Sequence, residues 1–316
     1  MNNWKRNICR GLMALATMAV WIVGLTGCRT GEVGQGLKRQ GQLDELKRNI
    51  EKVANEYDGR IGVALITSEG DTVEINVGKY PLMSVFKVHQ AVALLHEMES
   101  KGLSADSIVR IPRNELNAET WSPMMKDHPE DTIVLSVRDL LRYTLTQSDN
   151  NASNYLFRHF TDVASTDRFI ATVIPRESFR ISVTEEDMWR EHKRSLENYS
   201  TPLGVAILLD KLYTDSIIGA DNQDFICQTL RQCTTGTDRI VKPLLGKKGV
   251  TAGHKTGSGY RENGILMAHN DAAFITLPDG KHYTLVVLVS DFRGDEEKAA
   301  EAIANISAIV WNFMQK

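Results

Sequence analysis

Strand-forming segments stand near both ends of this 316-residue chain, and helix-forming segments fill the interval. Ile61-Gly62-Val63-Ala64-Leu65-Ile66 is apolar and β-branched, Ser68-Glu69-Gly70-Asp71 offers a turn, and Thr72 to Val77 alternates like a half-buried strand, so a hairpin is expected. Near the other end, Val250 to Thr256, Ala272 to Leu277 and Tyr283 to Ser290 read as strands, with Pro278-Asp279-Gly280 turning the chain between the last two. The simplest packing joins both ends in one antiparallel sheet, covered by the first and last helices, and leaves the middle as a helical lobe. That is an α+β fold of two lobes. The sheet lobe takes about 43–83 and 240–316, the helical lobe about 84–239.

Between the strands the pattern is mostly helical. Leu43 to Tyr57 places Leu43, Leu46, Ile50, Val53 and Ala54 on one face of an amphipathic helix. An apolar run from Leu82 to Leu95 follows Pro81 and reads as a helix ending at Gly102. Arg113 to His128 lacks periodicity and reads as a loop. Ser136 can cap a helix, Asn151 to Phe160 looks helical, and Pro202 to Tyr213 is amphipathic. Glu177 to Tyr199 is polar and aperiodic; a loop of that length in a compact domain usually has a job. Asp295 to Met314 closes the chain as a helix.

Residues 1–27 differ from the rest. Lys5, Arg6 and Arg10 precede an apolar run from Gly11 to Leu25, too short to span a bilayer comfortably and typical of a secretory signal. The run ends in Leu25-Thr26-Gly27-Cys28, which looks like a lipobox, with Cys28 as the lipid-bearing residue. Arg29 to Gln42 holds four glycines, Gly31, Gly34, Gly36 and Gly41, and reads as a flexible tether (28–42) before a domain at 43–316. Export to the periplasm with a membrane anchor on Cys28 is the expectation.

Export agrees with sparing cysteine use. Cys227 and Cys233 are six apart, which in a helix puts them about 9 Å apart along the axis on different faces, so a disulfide is not expected unless the segment is non-helical. Both read as small buried residues, or one as exposed and inert. A formal net charge of -3 with no basic stripe argues against nucleic acid as a partner. The histidines show no paired ligand spacing, so neither metal nor other cofactor is indicated; His254 is the one nearest the motifs below.

Chemistry enters with Ser84 and Lys87, three apart in the apolar run and therefore on one helical face, with Ser84 in the first turn. A lysine in an apolar wall is easily deprotonated and can activate a neighbouring serine. Alone, the pair also fits a capping serine and a solvated lysine. Ser148-Asp149-Asn150 alone reads as a turn, and Lys255-Thr256-Gly257-Ser258-Gly259 alone as the end of an edge strand. In this order, S-x-x-K, S-D-N and K-T-G together resemble the class A serine β-lactamases among the penicillin-recognising enzymes. The likeness spans nearly everything after residue 43, including Trp121-Ser122-Pro123. Ser258 with Gly259 is similar to the cephalosporinase and extended-spectrum branch.

The resemblance implies a monomer that hydrolyses β-lactams through an acyl-serine. Ser84 would be the nucleophile, Lys87 would take or relay its proton, and backbone N–H groups of Ser84 and Ser258 would hold the oxyanion. Ser148 would pass a proton to the leaving nitrogen, with Lys255 beside it. Thr256 and Ser258 would bind the substrate carboxylate, with Arg239 as a cationic partner, Asn150 would bind the side-chain amide, and Trp121 would wall the cleft. The family's deacylating base opens an E-x-x-L-N pattern. Here Thr184-Glu185-Glu186-Asp187-Met188-Trp189 offers Glu185, with Met188 at the apolar position, or Glu186. Taking Glu185 puts Trp189 where the family has a water-holding asparagine, and an indole accepts no hydrogen bond. A D,D-peptidase or transpeptidase and a β-lactam sensor carry the same motifs but keep the acyl group. The acidic loop argues against the peptidase, the want of an apolar membrane-spanning run after residue 28 argues against the sensor, and the ordering of three motifs argues against a mere binding protein.

Overall fold

The computed structural model describes the backbone of residues 26–316 and the side chains from residue 36 on. The signal segment before residue 26 lies outside the described residues, as does the Cys28 side chain. Two compact units divide the chain at Asp44/Glu45. The first helix, α1 (Thr26–Ala54), runs through the stretch expected as a flexible tether. Its four glycines do not break the helix. Leu, Lys, Arg and Gln between them favour helix, and Gln40 bonds Asp44 one turn on at 2.9 Å.

From residue 45 the order is β1 (Arg60–Thr67), β2 (Thr72–Ile75), β3 (Tyr80–Pro81), α2 (Phe86–Ser100), β4 (Ile108–Pro112), α3 (Pro123–Asp127), β5 (Thr132–Ser136), α4 (Val137–Thr146), α5 (Asn150–His159) and α6 (Val163–Val173). Then come β6 (Phe179–Arg180), α7 (Glu185–Arg190), β7 (Tyr199–Ser200), α8 (Pro202–Thr214), α9 (Ala220–Leu230), β8 (Thr251–Ser258), β9 (Arg261–Glu262), β10 (Ile265–Thr276), β11 (His282–Phe292) and α10 (Glu296–Met314).

The two ends meet as expected. The main sheet runs β2-β1-β11-β10-β8 with β9 beside β10, and its pairings are antiparallel. Both faces are covered. Ala64, Ala272, Phe274, Val286 and Leu288 join the core shared with the helices, and the alternate residues Ala273, Ile275, Leu285, Val287 and Val289 are buried too. The strands β10 and β11 are therefore apolar on both faces and stand packed between α8 and α10, whereas the sequence had given α8 no place against the sheet.

α2 is the axis of the helical lobe. It is buried around nearly its whole circumference and packs against α4, α5, α6 and α9. Caps fix the helices around it: Ser136 and Asp139 form a reciprocal capping box on α4, and Asp149 caps α5.

Two stretches expected as loops have structure. Arg113–His128 contains a turn of 3₁₀ helix and α3, capped by Ser122, and is flanked by the β4–β5 hairpin. Residues 177–199 carry β6, α7, a 3₁₀ segment and β7, with Thr184 and Asp187 boxing the start of α7. These elements are too short for periodicity to show.

Candidate active site

Ser84 does not sit in the first turn of α2, as the sequence suggested. It lies in a 3₁₀ turn, Met83–Val85, that feeds the helix, and Met83 enters it at φ 45°. Asn270 of β10 ties this turn to the sheet by donating to the carbonyls of Pro81 at 2.7 Å and Leu82 at 3.2 Å. Gly257 of β8 closes the other side. A Cβ there would stand 2.5 Å from the Leu82 carbonyl oxygen and 3.2 Å from the Ser84 nitrogen, so only glycine lets strand and turn come this close.

Lys87, one helical turn on, is fully buried. Its ammonium donates to the Ser148 carbonyl at 2.7 Å and to Asn150 Oδ1 at 2.7 Å, and pairs with Glu185 Oε1 at 2.8 Å. Three acceptors at this range match its three N–H bonds and offset the cost of desolvating the charge. The Ser148 hydroxyl lies 3.3 Å from Lys87 Nζ and 2.9 Å from Lys255 Nζ, between two cations. Ser148 holds φ 58°, a left-handed conformation that costs a non-glycine residue about 1–3 kcal/mol and that its lysine contacts offset. Asp149, fully buried, accepts from Ser122 Oγ and the Met124 and Ala152 N–H groups, which anchors the turn.

Glu185 opens α7 and lies in the cleft: Oε1 accepts from Ser84 Oγ at 2.9 Å. Glu186 turns outward to pair with Arg190, while its backbone N–H donates to Asn154 Oδ1 at 3.0 Å. Of the two glutamates, only Glu185 stands beside Ser84. Asn198, fully buried, braces the segment before α7 through Ser182 N, Val183 N and the Val183 carbonyl.

The third motif is equally buried. Lys255 donates to Ser148 Oγ and to the Thr256 carbonyl. Burial, reinforced by the nearby charge of Lys87, lowers its pKa from the ordinary lysine value to about 7. Thr256 Oγ1 bonds Thr235 Oγ1 at 2.6 Å. Arg239 is engaged by protein: one nitrogen donates to the Asn270 carbonyl at 2.7 Å and another to Ser258 Oγ at 2.8 Å. It presents Ser258 with a cation behind it.

The cleft over Ser84 is lined by Asn150, Glu185, Trp189, His192, Ser258 and Tyr260, among others. Thr120 lines it and holds Asn150 Nδ2 at 2.9 Å. Trp121, expected as a wall, donates its indole N–H to the Gln147 carbonyl, lies under Lys126 and is half exposed, next in the chain to Thr120 of the cleft lining. The second-rank residues Thr120, Asn154, Asn198, Thr235 and Asn270 escaped sequence reading because a lone polar residue outside a motif has no local signature.

A nucleophile-bearing turn at a helix start, two buried lysines around one serine hydroxyl and a carboxylate on the nucleophile define a serine acyl-transfer enzyme of the penicillin-recognising type. Residues 45–314 match the model of the β-lactamase enzyme family. A β-lactamase of Phocaeicola vulgatus is 51% identical over 273 residues, covering 86% of this chain and 85% of that protein. The β-lactamase VEB-1 of Pseudomonas aeruginosa is 33% identical, covering 86% and 91%. The crystal structure of the TLA-3 extended-spectrum β-lactamase superposes with a TM-score of 0.82 at 32% identity, over 86% of this chain and 99% of that one. The chain belongs to the β-lactamase family, as a serine β-lactamase of class A.

Proposed function

We propose that the chain hydrolyses the amide of penicillins and cephalosporins through an acyl intermediate on Ser84, with Glu185 as the base that frees it. The observation that carries this reading is the single carboxylate oxygen, Glu185 Oε1, lying within hydrogen-bonding distance of both Ser84 Oγ and Lys87 Nζ. The Ser84 proton leaves along the existing bond to Glu185, whose charge Lys87 steadies. The carbonyl oxygen takes its charge against the N–H groups of Ser84 and Ser258, the former in the 3₁₀ turn that feeds α2. Ser148 gives its proton to the leaving nitrogen and recovers one from Lys87, which in turn takes the Ser84 proton from Glu185, so that Glu185 is a carboxylate again before water attacks. Glu185 then takes a proton from the attacking water, and the acyl bond breaks with that proton returning to Ser84.

For substrate binding, Thr256, Ser258 and the Arg239 charge behind Ser258 fit the β-lactam carboxylate, and Asn150 fits the side-chain amide. Ser258-Gly259 and the likeness to an enzyme named extended-spectrum support oxyimino cephalosporins among the substrates. Mixing the purified protein with a chromogenic cephalosporin and weighing it afterwards tests the mechanism. Many turnovers with free Ser84 are expected; one burst with the acyl mass retained would favour the peptidase or sensor reading.

The basic start, apolar run and Leu25-Thr26-Gly27-Cys28 support export to the periplasm, removal of residues 1–27 and a lipid anchor on Cys28, with the catalytic domain acting as a monomer. Metabolic labelling with a radioactive fatty acid should mark the wild-type protein and not Cys28→Ala, and a single monomer-sized peak is expected for residues 29–316 on gel filtration.

A further inference from the structure

On the far side of the Lys255 strand lies a second cavity that shares no lining residue with the cleft. It is lined by Arg231, Lys247, Leu244, Val250, Cys233 and His254, among others. Of the two cysteines expected as small buried residues, or one as exposed and inert, Cys227 is buried in α9 with its thiol pushed up to about 11 by burial, whereas Cys233 lies past the end of α9 and is half-buried.

Cys233 belongs to a Cys–His–Asp cluster. Asp271, fully buried, accepts from the Ile240 and Ala272 N–H groups and from His254 Nδ1, each at 3.0 Å. The imidazole and the Cys233 thiol line the same cavity. Burial alone would lower the His254 pKa, but the Asp271 charge and hydrogen bond overcome it and raise the pKa to about 10. Burial would likewise raise the Cys233 thiol. The neighbouring His254, with the Lys255 charge and the Thr235 hydroxyl, outweighs that and brings it down to about 7.

The thiol is wired to the substrate strand. Cys233 Sγ lies 3.4 Å from Thr235 Oγ1, which bonds Thr256. Gly236, at φ 69°, presses this segment against the strand: a Cβ there would be 2.3 Å from Thr256 Cγ2. The Gly236 carbonyl accepts from the backbone N–H of Arg239, whose guanidinium holds Ser258.

We propose that Cys233 is a reactive thiolate that captures small carboxylate-bearing disulfides in this cavity, and that the adduct lowers β-lactam turnover by displacing residues 233–239 from the substrate strand. The Cys233 thiolate attacks one sulfur of the disulfide, the S–S bond breaks, and the other half leaves as a thiolate with the bonding pair. Cys233 is oxidised to a mixed disulfide, the departing half is reduced, and His254 keeps its proton. Arg231 and Lys247 offer counter-charge to the carboxylates, and Leu244 and Val250 accommodate an apolar body.

The test uses the full chain and 5,5′-dithiobis(2-nitrobenzoate), a carboxylate-bearing disulfide, with peptide mass mapping and chromogenic cephalosporin hydrolysis before and after. About half of a thiol titrating near 7 is ionised at pH 7, but its weaker nucleophilicity offsets part of the gain over an ordinary thiol near 9. Cys233 should react on the order of sixfold faster than such a thiol, with a rate midpoint near pH 7, while Cys227 stays unmodified. His254→Gln should slow the reaction. Turnover should fall about tenfold with the adduct and return with dithiothreitol, and Cys233→Ser should keep its hydrolysis in the reagent. No adduct at Cys233, or a rate that follows an ordinary thiol in pH and ignores His254→Gln, would overturn the thiolate; an adduct with full hydrolysis would overturn the coupling. The coupling rests on the proposed roles of Thr256 and Ser258, and failure of the unmodified protein to hydrolyse would fall on those roles while the modification rates still judged Cys233.

Discussion

Ser84 Oγ donates to Glu185 Oε1 across 2.9 Å, although 101 positions separate the two residues in the chain. The first rides on the turn ahead of α2, a turn that packs on β8, and the second on the start of α7, which packs on α5. The nucleophile and its base are thus held by separate elements, and each support can be tested.

Glu185→Gln removes the carboxylate and keeps the shape. Lys87 loses the carboxylate that holds its charge, and its neutral amine can receive the Ser84 proton, so acylation continues, while water activation is lost. Turnover should fall by about 10²–10⁴-fold, with the acyl-enzyme visible by mass spectrometry. Glu186→Gln loses only its outward pair with Arg190 and should stay near wild type, since such exposed pairs contribute about 0–1 kcal/mol.

Gly257→Ala puts a methyl group 2.5 Å from the Leu82 carbonyl. The strand and the Ser84 turn must part, which moves Ser258 relative to Ser84. A shift of this kind costs about 10²-fold in kcat/KM, while circular dichroism should show an intact fold.

Lys255 loses its proton as pH rises through about 7, and with it the positive charge offered to Ser148 and to a bound carboxylate. The sign follows: kcat/KM for a cephalosporin should decline on the alkaline side with an apparent pKa near 7. Arginine keeps its proton across this range, so in Lys255→Arg whatever activity remains should not show that limb.

Asn198→Ala deletes the partner of three backbone groups on residues 182 and 183. Unmet buried groups cost about 1–3 kcal/mol each. With partial rescue by solvent, a loss of about 2–4 kcal/mol in urea denaturation is expected, together with slower release of the acyl group because Glu185 follows two residues on.

Much of this architecture can be read from local pattern. β1, β2 and β11 announce themselves by alternation or β-branched runs, the β10–β11 turn by Pro278-Asp279-Gly280, and α4 by Ser136 three residues ahead of Asp139. α6, β4 and β5 carry no such local signal, and the stretch around α7 reads as loop. Each is short, or carries its apolar residues without a clear period, and takes its form from contacts with distant segments.

For the site, the order of S-x-x-K, S-D-N and K-T-G identified the family and named Ser84, Lys87, Ser148 and Lys255, because backbone turns and strand ends fix those side chains at set spacings. Tertiary structure decided the rest. It placed Glu185 rather than Glu186 beside Ser84, turned Arg239 toward Ser258, tied the Trp121 indole to the Gln147 carbonyl, and set Cys233 and His254 in one cavity with Asp271 behind the imidazole. Local sequence dictates which way a residue points on its own element; which other element it meets depends on packing between segments a hundred residues apart, and hydrogen-bond partners and shifted pKa values exist only once that packing has excluded water.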